Sequence, residues 1–231
     1  MKQAVFYATL NYPSEKEFFQ ILDCLEENHI EYVELGIPVN DPYMDGDIVR
    51  KSHRHVINQG FNQNKLVDIL KRIHNAYSFK TIIMTYKEGL DLYNILDTPE
   101  PLFTGILCVD ELISKEKCGK SIQIYNGSQS INEIKKRIRE NEVFLYLMSE
   151  TGKTGSGGKL PTEYRDMIPI LRSHSTLPIF VGFGIRDEND VSEILSNGAD
   201  GVIIGSSFMK TYEKEGLKGI QIYIEKIKKV L

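Results

Sequence analysis

The chain has 231 residues, 41% hydrophobic and 26% charged, with 28 Lys plus Arg against 32 Asp plus Glu, for a formal net charge of -4. That composition excludes a disordered chain, and the length admits one α/β barrel with no need of disulfide or metal support. The acidic balance argues against a nucleic-acid binder, which needs a basic surface, while backbone N–H groups can still hold a compact anion.

In chain order, the first apolar run covers residues 4–10 and is ended by Asn11, Tyr12 and Pro13. No small-residue cleavage site follows, so it reads as a strand and not as a signal peptide. Further β-branched or aromatic runs lie at 31–37, 80–86, 103–110, 121–125, 143–148, 178–184 and 201–205. Several are nearly continuous in apolar character, which suits parallel strands covered on both faces. Between them lie segments with helical spacing. Ser14 and Glu17 have capping-box spacing ahead of Phe18, Ile21, Leu22 and Leu25, and that helix ends near Asn28. Residues 65–74 carry Leu66, Ile69, Leu70 and Ile73, and 130–139 open on SINE, a second capping box. Residues 161–172 open on proline, a favoured first helical residue, and 187–197 stop at Gly198, a normal cap. An amphipathic helix over 218–230 closes the chain.

Strand–helix alternation through eight strands predicts a single (β/α)8 TIM barrel over residues 1–231, with an open doubly wound sheet as the alternative. In a barrel the chemistry sits at the C-terminal ends of the strands. No apolar run approaches the ~18 residues of a membrane span. Cys24, Cys108 and Cys118 are odd in number and lack CxxC spacing, so neither a disulfide framework nor a thiolate metal site is expected. A reducing, cytoplasmic setting is the simplest reading.

The densest candidate site is ELGIPVNDPYMDGD, residues 34–47. Glu34 stands inside an apolar strand, where either it or its neighbours face the barrel interior. A carboxylate buried there is costly unless it has a partner or a task, and burial would raise its pKa toward neutrality. Asp41, Asp45 and Asp47 are expected in a loop over the barrel mouth. Acid/base catalysis accounts for the group; pairing of Glu34 with a core cation, and a divalent metal held by the carboxylates, are the alternatives. Gly184 in VGFGIRD, and Gly205 with Ser206 in VIIGSS, fall at the ends of strands seven and eight, where many barrels bind phosphate. A glycine-rich loop, residues 149–159, fails the P-loop pattern because Lys159 is followed by Leu160. It reads as a lid or as disorder. Tyr7, Thr9 and Tyr146 lie in strands and are either core or mouth residues. His53 and His55 sit in a charged helix and are expected to be solvated. His29, His74 and His174 lie near helix ends, where capping is expected.

Together these motifs resemble the tryptophan synthase alpha subunit family, in which ELGIPVNDPYMDGD matches ELGIPFSDPxADGP. The match runs without a gap from about Tyr7 to Gly60. IIMTY, GILCVD, LYLMSETGKTGSGG, GFGIRDENDV and DGVIIGSSFMK are similar to later strands, the lid and the phosphate end. The resemblance implies cofactor-free retro-aldol cleavage of indole-3-glycerol phosphate in tryptophan biosynthesis. In that role Glu34 would protonate indole C3 and Asp45 would hold the indole N–H. Tyr7 and Tyr146 would line the pocket, and Thr154 would belong to the closing loop. Gly155, Gly184, Gly205 and Ser206 would bind phosphate. A beta-type subunit is the partner the family implies; no metal, nucleic acid or membrane is. The sequence departs from the family in lacking the helix before the first strand and in a shortened region around helices 3 and 4. Leu112 and Asp47 stand at family proline positions, and Glu150 stands at a lid position where many members carry arginine. The shortened loops lie on the face that meets the beta subunit in that family. A stand-alone lyase, a lyase for a related phosphorylated substrate, and a noncatalytic binder of a phosphorylated ligand are the other readings.

Overall fold

A computed structural model describes residues 2–98, 102–149 and 160–231. The strands are β1 (Gln3–Thr9), β2 (Tyr32–Gly36), β3 (Lys80–Thr85), β4 (Gly105–Cys108), β5 (Ile124–Tyr125), β6 (Leu145–Met148), β7 (Ile179–Gly182) and β8 (Gly201–Ile204). All pair in parallel, in the order β4-β3-β2-β1-β8-β7-β6-β5. The helices are α1 (Glu15–Glu27), α2 (Asp47–Asn58), α3 (Gln63–Ala76), α4 (Lys87–Tyr93), α5 (Ile131–Arg139), α6 (Tyr164–Arg172), α7 (Glu188–Ser196) and α8 (Ser206–Lys228), the last bent at Gly216 (φ 64°, ψ -157°). This is the expected (β/α)8 barrel. The ring is completed between β4 and the start of β5 by one parallel bridge, Ile106 to Ser121. There the Ile106 N–H donates to Lys120 O (3.0 Å) and the Ile122 N–H to Ile106 O (2.8 Å).

The shortened region is visible in the elements. A seven-residue α4 and a single 3-10 turn (Ile95–Asp97) follow β3, and the described residues between β4 and β5 contain no helix. The caps follow the sequence. The Ser130 hydroxyl accepts from the Glu133 N–H while Glu133 reaches back to the Ser130 N–H. Ser14 accepts from Glu17 N–H, and Gly198 takes the left-handed conformation (φ 99°) that follows α7. Pro161 is not the first helical residue. It lies three positions ahead of α6, outside any helix or strand.

Strand periodicity divides the interior into two layers. Ala4, Phe6 and Ala8 of β1, and Val33 and Leu35 of β2, pack under the helices with Phe18, Leu22, Leu66 and Ile220. Val5, Tyr7, Ile82, Met84, Leu107, Ile124, Phe144, Tyr146, Phe180 and Ile203 fill the barrel itself. Glu34, two residues from Tyr32 and Gly36, belongs to the inward set. Two inward positions nearer the mouth are glycines, for a steric reason. A Cβ on Gly36 would stand 2.0 Å from the Tyr7 hydroxyl oxygen, and one on Gly182 would stand 2.7 Å from the Tyr146 hydroxyl oxygen. Each glycine makes room for a tyrosine ring to lie across the mouth. Gly36→Ala should therefore cost about 1–3 kcal/mol of stability. Most of that penalty should vanish in a Tyr7→Ala background when the four proteins are compared by urea denaturation; an undiminished penalty would show that the ring is not the obstacle.

Candidate active site

Glu34 sits opposite Tyr7 in the β1–β2 register and opposite Ile82 in the β2–β3 register. It is 2% exposed, and its Oε1 has no hydrogen-bond partner among the described residues. The core cation that would have made it structural is not there: the Lys and Arg ion pairs of the described residues lie outside the barrel. Burial, aided by the nearby Asp45 carboxylate, pushes the Glu34 carboxyl up to about 8.

The segment after β2 carries the second carboxylate back over the barrel. Tyr93 of α4 donates to Pro38 O (2.9 Å), and the Glu88 carboxylate accepts from the Asn40 N–H (3.0 Å). Asp45 is then folded inward by a turn in which its N–H donates to Pro42 O. It is 3% exposed rather than lying in an open loop. The Tyr86 hydroxyl, at the end of β3, donates to Asp45 Oδ2 at 2.8 Å. Burial raises the Asp45 carboxyl to about 6, opposed by the Tyr86 hydrogen bond and the Arg50 charge. The other two aspartates take no part. Asp41 is exposed, and Asp47 is the first residue of α2, exposed and paired with Arg50.

Tyr7 and Tyr146 complete the wall. Both are buried, and both phenols are raised by burial together with the field of Glu34 and Asp45. Phe183 lies edge-on to Tyr146, with centroids 6.1 Å apart. Phe183 also holds a left-handed backbone (φ 76°), unusual for a non-glycine residue. The buried Ser149 hydroxyl donates to its carbonyl (2.7 Å).

The phosphate candidates lie on the same rim. Gly184 (φ 71°) follows β7, and Gly205 and Ser206 follow the adjacent β8. Gly205 backs onto Tyr7: a Cβ there would lie 3.5 Å from Tyr7 Cβ. The two helix N-termini differ. Asp187 accepts from the Asn189 and Asp190 N–H groups and caps α7, whereas α8 begins at Gly205 with no side-chain cap. The first N–H groups of α8 are thus open to an anion. Glu150, Thr154 and Gly155 lie outside the described residues. No group of three His, Cys, Asp or Glu side chains converges as a metal set among the described residues.

His53 is the main correction. It is 1% exposed, not solvated, and bonds to Tyr7 and to the Val39 backbone. Val49, Ser52, His53 and Val56 share the buried face of α2, and that helical spacing was visible in the sequence. Tyr86 follows the same parity as Ile82 and Met84, which also marks it as inward. Phe183 had no such signal, since its strain is a backbone property.

Folding must protonate Glu34 wherever the unfolded chain would leave it ionised. The folded carboxyl titrates near 8 and the free one near 4.5, so this group's contribution to stability falls as pH rises between those values. Glu34→Gln escapes that term. Its stability relative to the parent should grow from pH 5 to pH 8, reaching roughly 3 kcal/mol at pH 7. Denaturation curves at several pH values measure it; a difference independent of pH would contradict a buried, protonated acid.

A family model described as "Tryptophan synthase alpha chain" matches residues 1–97 and 111–230. The tryptophan synthase alpha chain of Staphylococcus epidermidis is 31% identical over 227 residues, spanning 93% of each chain. That of Cyanidium caldarium is 30% identical over 213 residues, 87% of this chain and 80% of the relative. Among solved structures, the Pyrococcus furiosus tryptophan synthase a2b2 complex contains a chain with a TM-score of 0.85 and 24% identity, each chain covered fully. Mycobacterium tuberculosis tryptophan synthase gives 0.85 at 21% identity, covering 98% of this chain and 91% of the other. The gap in the family match contains β4, and the chain belongs to the tryptophan synthase alpha chain family.

Proposed function

We propose that this protein is a cofactor-independent carbon–carbon lyase that cleaves indole-3-glycerol phosphate to indole and glyceraldehyde 3-phosphate in tryptophan biosynthesis. One observation carries the reading: a buried Glu34 carboxyl, its Oε1 without a hydrogen-bond partner among the described residues, feels the charge of a second buried carboxylate, Asp45, at the mouth of a barrel of this family.

The two environments assign the two roles. Glu34, titrating near 8, is protonated at neutral pH and donates to indole C3. Asp45, titrating near 6, is mostly ionised there; it holds the indole N–H and balances the positive charge that C3 protonation creates. The bond between C3 and the glycerol carbon then breaks, and its electron pair returns to the ring. The hydroxyl on that carbon gives its proton to the Glu34 carboxylate and becomes the aldehyde. Glu34 ends as it began, and the hydroxyl proton has in effect moved to C3. Tyr7, Tyr146 and Phe183 supply the apolar walls for the indole, and Tyr86 fixes the Asp45 oxygen that does not face it. The phosphate is read by the backbone of Gly184, Gly205 and Gly155 and by Ser206, with Thr154 assigned to substrate binding.

A beta-type subunit is the proposed partner. Tyr43, in the segment that carries Asp45, is 45% exposed, and Leu92 of α4 is 52% exposed. Both lie on elements that follow β2 and β3. The Pyrococcus furiosus relative has been described as a mutually activated a2b2 complex. The alternative of a free-standing lyase is separated by one assay: indole release with and without a beta chain. Release that requires the partner marks a synthase subunit, and equal release in both marks a lyase that works alone. No release under either condition would overturn the proposal.

Three further outcomes follow from the assigned roles. The rate should be bell-shaped in pH, with limbs near 6 and 8, because Asp45 must be ionised and Glu34 protonated. Glu34→Gln should keep phosphate affinity and lose about 10²–10⁴-fold in turnover. Asp45→Asn should also cripple turnover. Steady-state kinetics decide all three, and an unchanged rate in Glu34→Gln would remove that residue from the chemistry.

A further inference from the structure

The hydrogen bonds behind Tyr7 form a chain whose two ends favour one direction. The Val39 N–H donates to His53 Nδ1 at 3.2 Å, so the neutral imidazole carries its proton on Nε2. That N–H meets the Tyr7 hydroxyl oxygen at 3.1 Å and can only donate to it. At the far end the Ser52 hydroxyl donates to Val49 O at 2.7 Å. With that proton on Val49 O, Ser52 Oγ, 2.6 Å from Thr9 Oγ1, accepts the Thr9 proton, for which Met209 Sδ at 3.9 Å is a second acceptor; both lie away from Tyr7. With its own proton committed, Thr9 Oγ1 can only accept from Tyr7, which lies 3.1 Å away. The Tyr7 proton therefore points to Thr9. All four side chains are buried, so water does not compete for these bonds.

We propose that His53 and Thr9 are positioning residues for the acid: they bracket the Tyr7 oxygen and commit its proton to Thr9, so that Glu34 receives no hydrogen bond from the tyrosine beside it. This rests on the lyase reading only for its catalytic consequence. A phenol donating to Glu34 would stabilise the carboxylate and discharge the acid. Glu34 Oε1 has no partner among the described residues, as this network requires. The titratable groups around Glu34 are Tyr7 of β1, Asp45 of the loop after β2 and Tyr146 of β6. His53 of α2 stands behind Tyr7, and Tyr86 and Arg50 act on Asp45. The other inward side chains, Ile82, Met84, Leu107, Ile124, Phe180 and Ile203, carry no charge.

The test uses the whole free protein and needs no substrate. Nitrogen-15 NMR should find His53 protonated on Nε2 and bare on Nδ1 from pH 5 to 9; the opposite tautomer would overturn the proposal. Carbon-13 NMR then follows the Glu34 carboxyl. Thr9→Val removes the acceptor and should move that titration down by about one pH unit, while Thr9→Ser should restore it. Tyr7→Phe alone should leave the titration in place, and adding it to Thr9→Val should cancel the shift. A Thr9→Val protein with an unmoved Glu34, or a Tyr7→Phe protein with a raised one, would show that the hydroxyl is not held away. Should Thr9→Val fail to fold, the tautomer and Tyr7→Phe measurements still decide. The alkaline limb of indole release should follow the carboxyl in each variant. Titrations as expected in a protein that releases no indole would keep the network and reject the lyase.

Discussion

A carboxyl group without a counter-ion in the wall of a barrel is the constraint around which the mouth is organised. An ionised carboxylate there would be strongly unfavourable, and the surroundings of Glu34 are built to keep it neutral. Asp45 adds repulsion, no Lys or Arg among the described residues pairs with Glu34, and the adjacent phenol is hydrogen-bonded to other partners. The same arrangement explains two glycines. Without Gly36 and Gly182 the rings of Tyr7 and Tyr146 could not lie beside the acid.

The second carboxylate depends on elements distant from it in the sequence. Asp45 is placed by a loop whose backbone is gripped by Glu88 and Tyr93 of α4, and its outer oxygen is held by Tyr86, between β3 and α4. α2, which starts two residues later, sends His53 back to bond the same loop at Val39. One loop thus ties together two helices and two strands, and the separation of the two acids is a property of that assembly rather than of the loop alone.

Much of this was legible in the sequence because the signals were periodic. Continuous apolar runs marked all eight strands to within a few residues, and the SINE cap and Gly198 marked helix ends by their local chemistry. Glu34 was conspicuous as a charge inside an apolar run. Its facing was not, because a five-residue strand buried on both sides looks alike from either face. α4 was overlooked because its seven residues, KEGLDLY, carry too little periodicity. His53 was misplaced because its neighbours Arg54 and His55 are polar, although its own spacing from Val49 and Val56 belonged to the buried stripe. Pro161 offered a helix start that the chain declines in favour of Tyr164, whose ring is fully buried. The direction of the proton chain was beyond any pattern, since it requires distances between residues up to 46 positions apart.

The closure between β4 and β5 differs from the rest of the ring. Elsewhere neighbouring strands share ladders of two to five residue pairs, whereas here a single bridge at Ile106 joins the ends, and no helix in the connecting segment covers it. A cylinder of staves held by one rivet at one joint has a defined place to come apart. Thermal breathing should begin at that joint and spread outward along both arms, leaving the opposite side, where β1 carries Tyr7 against Glu34 of β2, as the last part to loosen.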